Sequence, residues 1–176
     1  METMKAIALR KSTRDFSNRQ IPMEDVEKLL AAACAAPVGH GEYKNLHLTV
    51  VRDPDVLEEI RETAVDCFRD PVLDIYYGAP TVVIVSTSHG SVPELDMANA
   101  GTIIETMMIA ATDMGIDSCY VWGTTLAFRA EPDLADDIDL PEGQEVLSSV
   151  AFGYAKEPST REKPMDLKSM SISFVE

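Results

Sequence analysis

Leu95-Asp96-Met97-Ala98-Asn99-Ala100-Gly101-Thr102-Ile103-Ile104-Glu105-Thr106-Met107-Met108-Ile109-Ala110-Ala111-Thr112-Asp113-Met114 is the stretch on which the fold turns. Read as a helix, it puts Met97, Ala98, Ala100, Ile103, Ile104, Met107, Met108, Ala110, Ala111 and Met114 on almost every bearing around the axis. A surface helix carries a single apolar stripe, so this helix is expected inside the fold or at a subunit interface. Gly115 follows where a left-handed cap would end it.

Downstream, Ser118 to Trp122 reads as a strand that Gly123 ends, a short helical region covers roughly residues 126–137, and Glu145 to Tyr154 contains another strand. Upstream, the turn Gly78-Ala79-Pro80 leads into Thr81-Val82-Val83-Ile84-Val85. Such a β-branched run suits a central strand buried on both faces. Pro54 starts an amphipathic helix over Asp55 to Phe68, with Val56, Ile60 and Ala64 on one face, and Leu46 to Arg52 reads as a strand before it. Glu24 to Ala36 is a helix: Val26, Leu29, Leu30 and Ala33 recur at spacings of three and four, acids occupy the first turn, and Pro37 stops it. Met1 to Leu9 can form a short helix with Met4, Ala8 and Ile7 on one side. After Pro158 comes a polar tail whose last piece, Ser171-Ile172-Ser173-Phe174, alternates like a strand. Little chain is left for it to pair with, so it is expected to complete another subunit's sheet. Helices and strands are interspersed without a repeat or an obvious linker. The expected class is α+β, or a three-layer sandwich, in one domain over residues 1–176.

The charge is uneven. The chain has 176 residues, 15 Lys+Arg and 30 Asp+Glu, a formal net charge of −15. Residues 1–19 hold Lys5, Arg10, Lys11, Arg14 and Arg19 against Glu2 and Asp15, a net of +3. Residues 20–155 hold 6 basic and 24 acidic groups, a net of −18, and residues 156–176 balance at four of each. An acidic body argues against nucleic acid or an anionic membrane surface as a partner. No run approaches the roughly 20 apolar residues of a membrane span, and Met1 to Lys11 has no signal-like apolar core. Cys34, Cys67 and Cys119 form no C-x-x-C pair, and read as buried small hydrophobes in a reducing cytoplasm.

Most catalytic apparatus is missing from the sequence. There is no G-x-x-x-x-G-K-S/T loop and no G-x-S-x-G elbow, and Gly39-x-Gly41 lacks the third glycine of a dinucleotide fingerprint. His40, His47 and His89 have no metal-ligand spacing. Without a side-chain nucleophile or acid–base pair in view, a cofactor is expected to carry the chemistry. The positive signal is Arg10-Lys11-Ser12-Thr13-Arg14, three cations and two hydroxyls in five residues, which is the donor set that holds a phosphate monoester. Arg161 and Lys163 make a second, weaker basic spot. Each could equally be a solvated turn.

Together these residues resemble a known family. The set is Arg10-Lys11-Ser12-x-Arg14-x-Phe16, Leu29-Leu30-x-Ala32-Ala33 closing on Ala36-Pro37, Gly78-Ala79-Pro80 before a hydrophobic strand, Ala110-Ala111-x-x-Met114-Gly115-Ile116-x-Ser118-Cys119, Ala151-Phe152-Gly153-Tyr154, and the Arg161/Lys163 tail. In this order they look like the nitroreductase family of FMN-dependent oxidoreductases. The resemblance implies an α+β fold with a mixed, mainly antiparallel sheet sandwiched by helices. It implies a homodimer with a domain-swapped C-terminal strand and two FMN at the interface. It also implies that Arg10, Lys11, Ser12, Arg14, Arg161 and Lys163 hold the FMN phosphate and ribityl chain. A backbone N–H at Gly123 would face N5, with Trp122 as a wall of the site and Gly39 in a loop against the cofactor. The implied reaction is ping-pong hydride transfer from NADH or NADPH through FMN to a small flat acceptor such as a nitroaromatic or quinone. A flavin store or a domain reduced by a protein partner stays open beside it, as does an acidic interaction domain without cofactor.

The sequence departs from the family's pattern at one place. After Pro37, the loop Val38-Gly39-His40-Gly41-Glu42-Tyr43-Lys44-Asn45 keeps its length without the polar Ser-x-x-Asn-x-Gln tract of many members. His40 reads as an exposed loop residue. The chain is also short for the family, so only residues 78–97 and 124–142 could form a lid.

Overall fold

The computed structural model describes residues 1–175. Ten regular elements follow one another: α1 (Thr3–Leu9), α2 (Met23–Cys34), β1 (Leu46–Val51), α3 (Pro54–Phe68), β2 (Thr81–Thr87), α4 (Asp96–Asp113), β3 (Asp117–Val121), α5 (Gly123–Ala130), α6 (Leu134–Asp137) and β4 (Glu145–Gly153). The strands form one sheet in the order β1-β2-β4-β3, with every neighbouring pair antiparallel. An isolated parallel bridge, Ser12 with Ser118, fastens the basic segment beside β3.

The β-branched run explains the layering. All seven residues of β2 are buried, because helices cover both faces of the sheet. On one face Val83 and Val85 pack with Val26, Leu29, Ile104, Met107 and Met108 of α2 and α4. On the other, Val82 and Ile84 pack with Ile60, Ala64, Ala127 and Phe128 of α3 and α5. At about 25 cal/mol per Å² of apolar surface removed from water, these two faces supply most of the drive to fold. An extra residue in β4 shifts the register between Val85 and Ser86, a β-bulge that bends the strand locally. No helix among the described residues is long and apolar enough to cross a membrane.

Several expectations need correction. Of the two places expected for α4, its own chain encloses only one side: Ala100, Ile103, Ile104, Met107, Met108 and Ala111 are buried, and Met97, Ala98, Thr102 and Glu105 form an exposed face. α1 turns Ala6 and Ala8 inward and leaves Met4 and Ile7 exposed. The small residues let α1 fit between α4 and the tail, where Lys163 N–H donates to Ala8 C=O at 2.8 Å. The expected helix over 126–137 is two helices, interrupted at Glu131-Pro132, because a proline inside a helix removes a hydrogen bond and clashes with the preceding turn. Gly123 does more than end a strand; it opens α5. Cys34 and Cys67 are exposed and Cys119 alone is buried, since the first two lie off the apolar stripes of α2 and α3. Within its own chain Ser171–Phe174 pairs with no strand and is exposed, and the expectation for it concerns a second subunit. Gly115 caps α4 with φ +74°, in the left-handed region as expected.

Candidate functional site

The basic segment runs from the end of α1 past the edge of β3. Arg10 is the C-cap of α1, and the Thr13 N–H donates to Ser118 C=O at 2.9 Å. Asp117, at the start of β3, secures the segment from beneath. Its Oδ1 accepts from Thr13 Oγ1 at 3.0 Å, and its Oδ2 from Ala155 N–H at 3.0 Å. This anchoring brings three expected residues together around one buried sulfur. Burial pushes the Cys119 thiol above its ordinary value, while the charges of Arg14 and Arg10 and a hydrogen bond with Ser12 pull it down. Arg10, Ser12 and Arg14 therefore share one neighbourhood at β3.

Lys163 reaches the same place from the tail. Burial holds its amine below its ordinary value, and Arg10 lowers it further, while Glu105 of α4 acts the opposite way. Glu105 Oε1 lies 3.3 Å from Arg10 Nε. Two cations held close with a single carboxylate between them leave unbalanced positive charge, the complement of an anion.

The other expected residues lie elsewhere. Lys11 turns aside: its Nζ is 3.1 Å from Asp117 Oδ1 and 2.9 Å from Ser159 C=O. Arg161 is exposed in the tail, and its backbone N–H donates to Ser159 Oγ at 3.3 Å. Gly39 packs against the start of α4, where its N–H donates to Asn99 Oδ1 at 2.9 Å. A Cβ there would meet Leu95 Cδ1 at 2.6 Å, so a larger residue would have to turn the Leu95 side chain aside. Asn99 and Glu105 are six residues apart on α4, about 9 Å along the axis, so Gly39 stands apart from the Arg10 group within one chain. His40 is exposed, with φ +55°.

Gly123 and Trp122 follow β3 directly. Trp122 is the N-cap of α5 and is 48% exposed. The first N–H groups of a helix have no partner inside it, so the Gly123 N–H is a donor in need of an acceptor. Neighbours crowd one side of the glycine: a Cβ would lie 3.0 Å from Ile75 Cγ2 and 3.6 Å from Phe68 Cε2. Side-chain hydroxyls hold α5 in place. Tyr76 OH, Thr124 Oγ1 and Ser149 Oγ form a buried chain at 3.0 and 2.7 Å, and Thr125 Oγ1 donates to Leu147 C=O at 2.7 Å. Burial pushes the Tyr76 phenol well above its ordinary value, so it stays protonated.

The fold and this cluster define a class: a helix-covered antiparallel sheet with a cluster of cations at the start of β3 and a helix N-terminus directly after that strand. The model of the nitroreductase family matches residues 7–154, and the chain belongs to that family and is an oxidoreductase. A protein of Archaeoglobus fulgidus, provisionally named NADH dehydrogenase/NAD(P)H nitroreductase, is 31% identical over 157 residues, 89% of this chain and 87% of its own. A nitroreductase from Desulfitobacterium hafniense, solved with bound FMN, superposes with a TM-score of 0.85 at 25% identity, over 100% of this chain and 99% of its own. Another FMN-bound nitroreductase, from Bacteroides fragilis, gives 0.83 at 28% identity, over 99% and 100%.

Asp117 and Glu105 hold this cluster, and the sequence does not single them out: they are two carboxylates in a chain with 30 Asp+Glu, and nothing in their spacing distinguishes them.

Proposed function

We propose that this chain is an FMN-dependent NAD(P)H oxidoreductase that works as a homodimer. The observation that carries the reading is the gathering of Arg10, Ser12, Arg14 and Lys163 at the start of β3, the strand that leads into α5: Ser12 bridges to Ser118, Arg10 Nε meets Glu105, and the Lys163 backbone is bonded to Ala8. These residues fit the cofactor chemically: guanidinium and ammonium groups for a dianionic phosphate, a hydroxyl for its oxygens, and a backbone N–H without a steric guard for a flat ring. Arg10 and Lys163 take the phosphate, Ser12 and Arg14 the adjoining polar chain, and Gly123 offers its N–H to N5, with Trp122 as a wall. Lys11 is left out of this set, because Asp117 and Ser159 hold its ammonium. Arg161 belongs to the same tail and is free to join.

When bound, FMN supplies hydride chemistry in two half-reactions, first with NADH or NADPH and then with a flat acceptor such as a nitroaromatic or quinone, in a ping-pong scheme. The chain's own residues bind, orient and hold charge, and none of them needs to transfer a proton. Gly39 is brought into play by a second copy. The exposed face of α4 continues into its apolar core, as an obligate interface does, and a partner seated there sets its Gly39 loop near the first chain's cluster. The alternating Ser171–Phe174 segment then finds a strand to pair with on that partner.

The test is anaerobic titration of the purified protein. A yellow dimer bleached by NADH or NADPH, and recoloured by a quinone with parallel-line kinetics, is the expected result. A yellow protein reduced only by dithionite would make it a flavin store, and a colourless one that refuses added FMN would end the flavin reading.

A further inference from the structure

The loop before β2 holds a conformation that costs energy. Tyr77 has φ +58° and Gly78 φ +76°. Glycine adopts this region freely, but for a bulky side chain it is strained. One carboxylate enforces it. Asp74 Oδ1 accepts from Tyr76 N–H at 2.9 Å and Tyr77 N–H at 3.0 Å, and Asp74 Oδ2 from Gly78 N–H at 2.7 Å. A fourth bond, Phe16 N–H to Tyr77 C=O at 2.9 Å, ties the loop to the end of the basic segment.

The consequence is spatial. From this pinned loop Ile75 lies against Gly123, and the Tyr77 ring faces Arg14, with the guanidinium carbon 6.0 Å from the ring centroid. That separation is the outer reach of a cation–ring attraction, enough to bias a guanidinium that is otherwise exposed. A turn needs no tyrosine in the left-handed region; a glycine there would be free of strain. Strain that persists beside a functional group is a sign of positioning.

We propose that the Asp74-pinned loop is the positioning device of the site, with Tyr77 a positioning residue that sets the direction of Arg14. This rests on the FMN reading above. Tyr77 touches no cofactor in this scheme; it acts through Arg14. Asp74 acts one step further back: its carboxylate gathers three N–H groups, and its own C=O also accepts from Tyr77 N–H, at 3.2 Å.

The experiment is a double-mutant cycle. Tyr77→Leu keeps apolar bulk against the core and removes the ring, and is expected to weaken FMN binding about three- to fivefold. Tyr77→Phe restores the ring and should restore the affinity. In an Arg14→Ala background, Tyr77→Leu should change FMN affinity less than about twofold, because the residue it steers is gone. An equal loss in both backgrounds, or no loss with Arg14 intact, overturns the proposal. A second readout needs no flavin: the Arg14 Nε–H resonance of the apoprotein should exchange with water faster in Tyr77→Leu than in the unmutated chain. If the unmutated chain fails to bind FMN, the cofactor reading falls, and this resonance still decides whether Tyr77 steers Arg14. An unchanged exchange rate rejects the steering.

Discussion

Arg10 and Gly123 show how differently single residues can be read. Arg10 stands out in sequence because a cation cluster is rare in an acidic chain, and in the structure its Nε meets Glu105 while Lys163 lies close by. Arg10→Ala should weaken FMN binding by about tenfold or more, since a charge-assisted hydrogen bond contributes about 1.5–3 kcal/mol. Riboflavin, which lacks the phosphate, should lose much less; calorimetry with both ligands checks this, and equal losses would move the phosphate elsewhere. Glu105 and Asp117 were illegible for the converse reason: one carboxylate among 30 carries no signal until folding gives it partners. Gly123 looked like a strand breaker. The structure gives it a steric reason, because Ile75, held on the pinned loop, leaves 3.0 Å for a methyl group. Gly123→Ala is expected to cost about 1–3 kcal/mol in urea unfolding, the usual range for overpacking.

At the scale of elements, periodicity made α2, α3, β1, β2 and β4 readable to within a residue or two, because each has a stripe or run that burial demands. The buried face of α1 is not legible, since seven residues contain too few repeats to decide a face, and the tail that covers it is remote in sequence. The break between α5 and α6 was smoothed over although Pro132 marks it. What holds the start of α4 was also hidden. His89 Nδ1 is 2.8 Å from Asp96 Oδ2 and its Nε2 is 3.2 Å from Glu145 Oε2, so the imidazole clasps α4 to β4, with Arg129 also on Glu145. The hydrogen bond to Asp96 raises the His89 pKa above 6.5, its ordinary value, and Glu145 adds to the shift. A raised pKa means that the protonated form is favoured by folding. The stabilisation is fully present below about pH 6.5, the value in the unfolded chain, and is lost as pH rises through the folded value. The side chain is half exposed, so solvent screens the effect. The Tm difference between the unmutated chain and His89→Gln should therefore be largest near pH 6 and shrink toward pH 9. A difference that grows with pH would reject the clasp.

The charge map of the whole molecule ties the ends of the chain to its centre. Body charges more than about 8 Å away are largely screened at physiological salt, so a phosphate responds to the cations close to it and little to the net −18 of residues 20–155. Lys163 comes to Arg10 over more than 150 residues because α1 and the tail lie side by side, held by the Lys163–Ala8 backbone bond and the Lys5–Glu162 ion pair. The sequence offered two basic spots and no route between them; the route is tertiary. Beyond Lys163 the tail leaves Leu167, Met170 and Phe174 exposed, an apolar series that a second copy would cover. Two truncations separate the tail's two parts. Ending the chain at Met170 removes only the alternating segment. Dimerisation should weaken, and FMN retention should become dependent on protein concentration, because each cofactor site then assembles only with its partner. Ending the chain at Pro158 also removes Arg161 and Lys163, and FMN should be lost even at concentrations that restore the dimer. Light scattering on a sizing column, read beside flavin absorbance, measures both. A full-strength dimer after truncation at Met170 would remove the exchanged strand from the proposal while leaving the cation cluster intact. Retained FMN after truncation at Pro158 would remove Lys163 from that cluster.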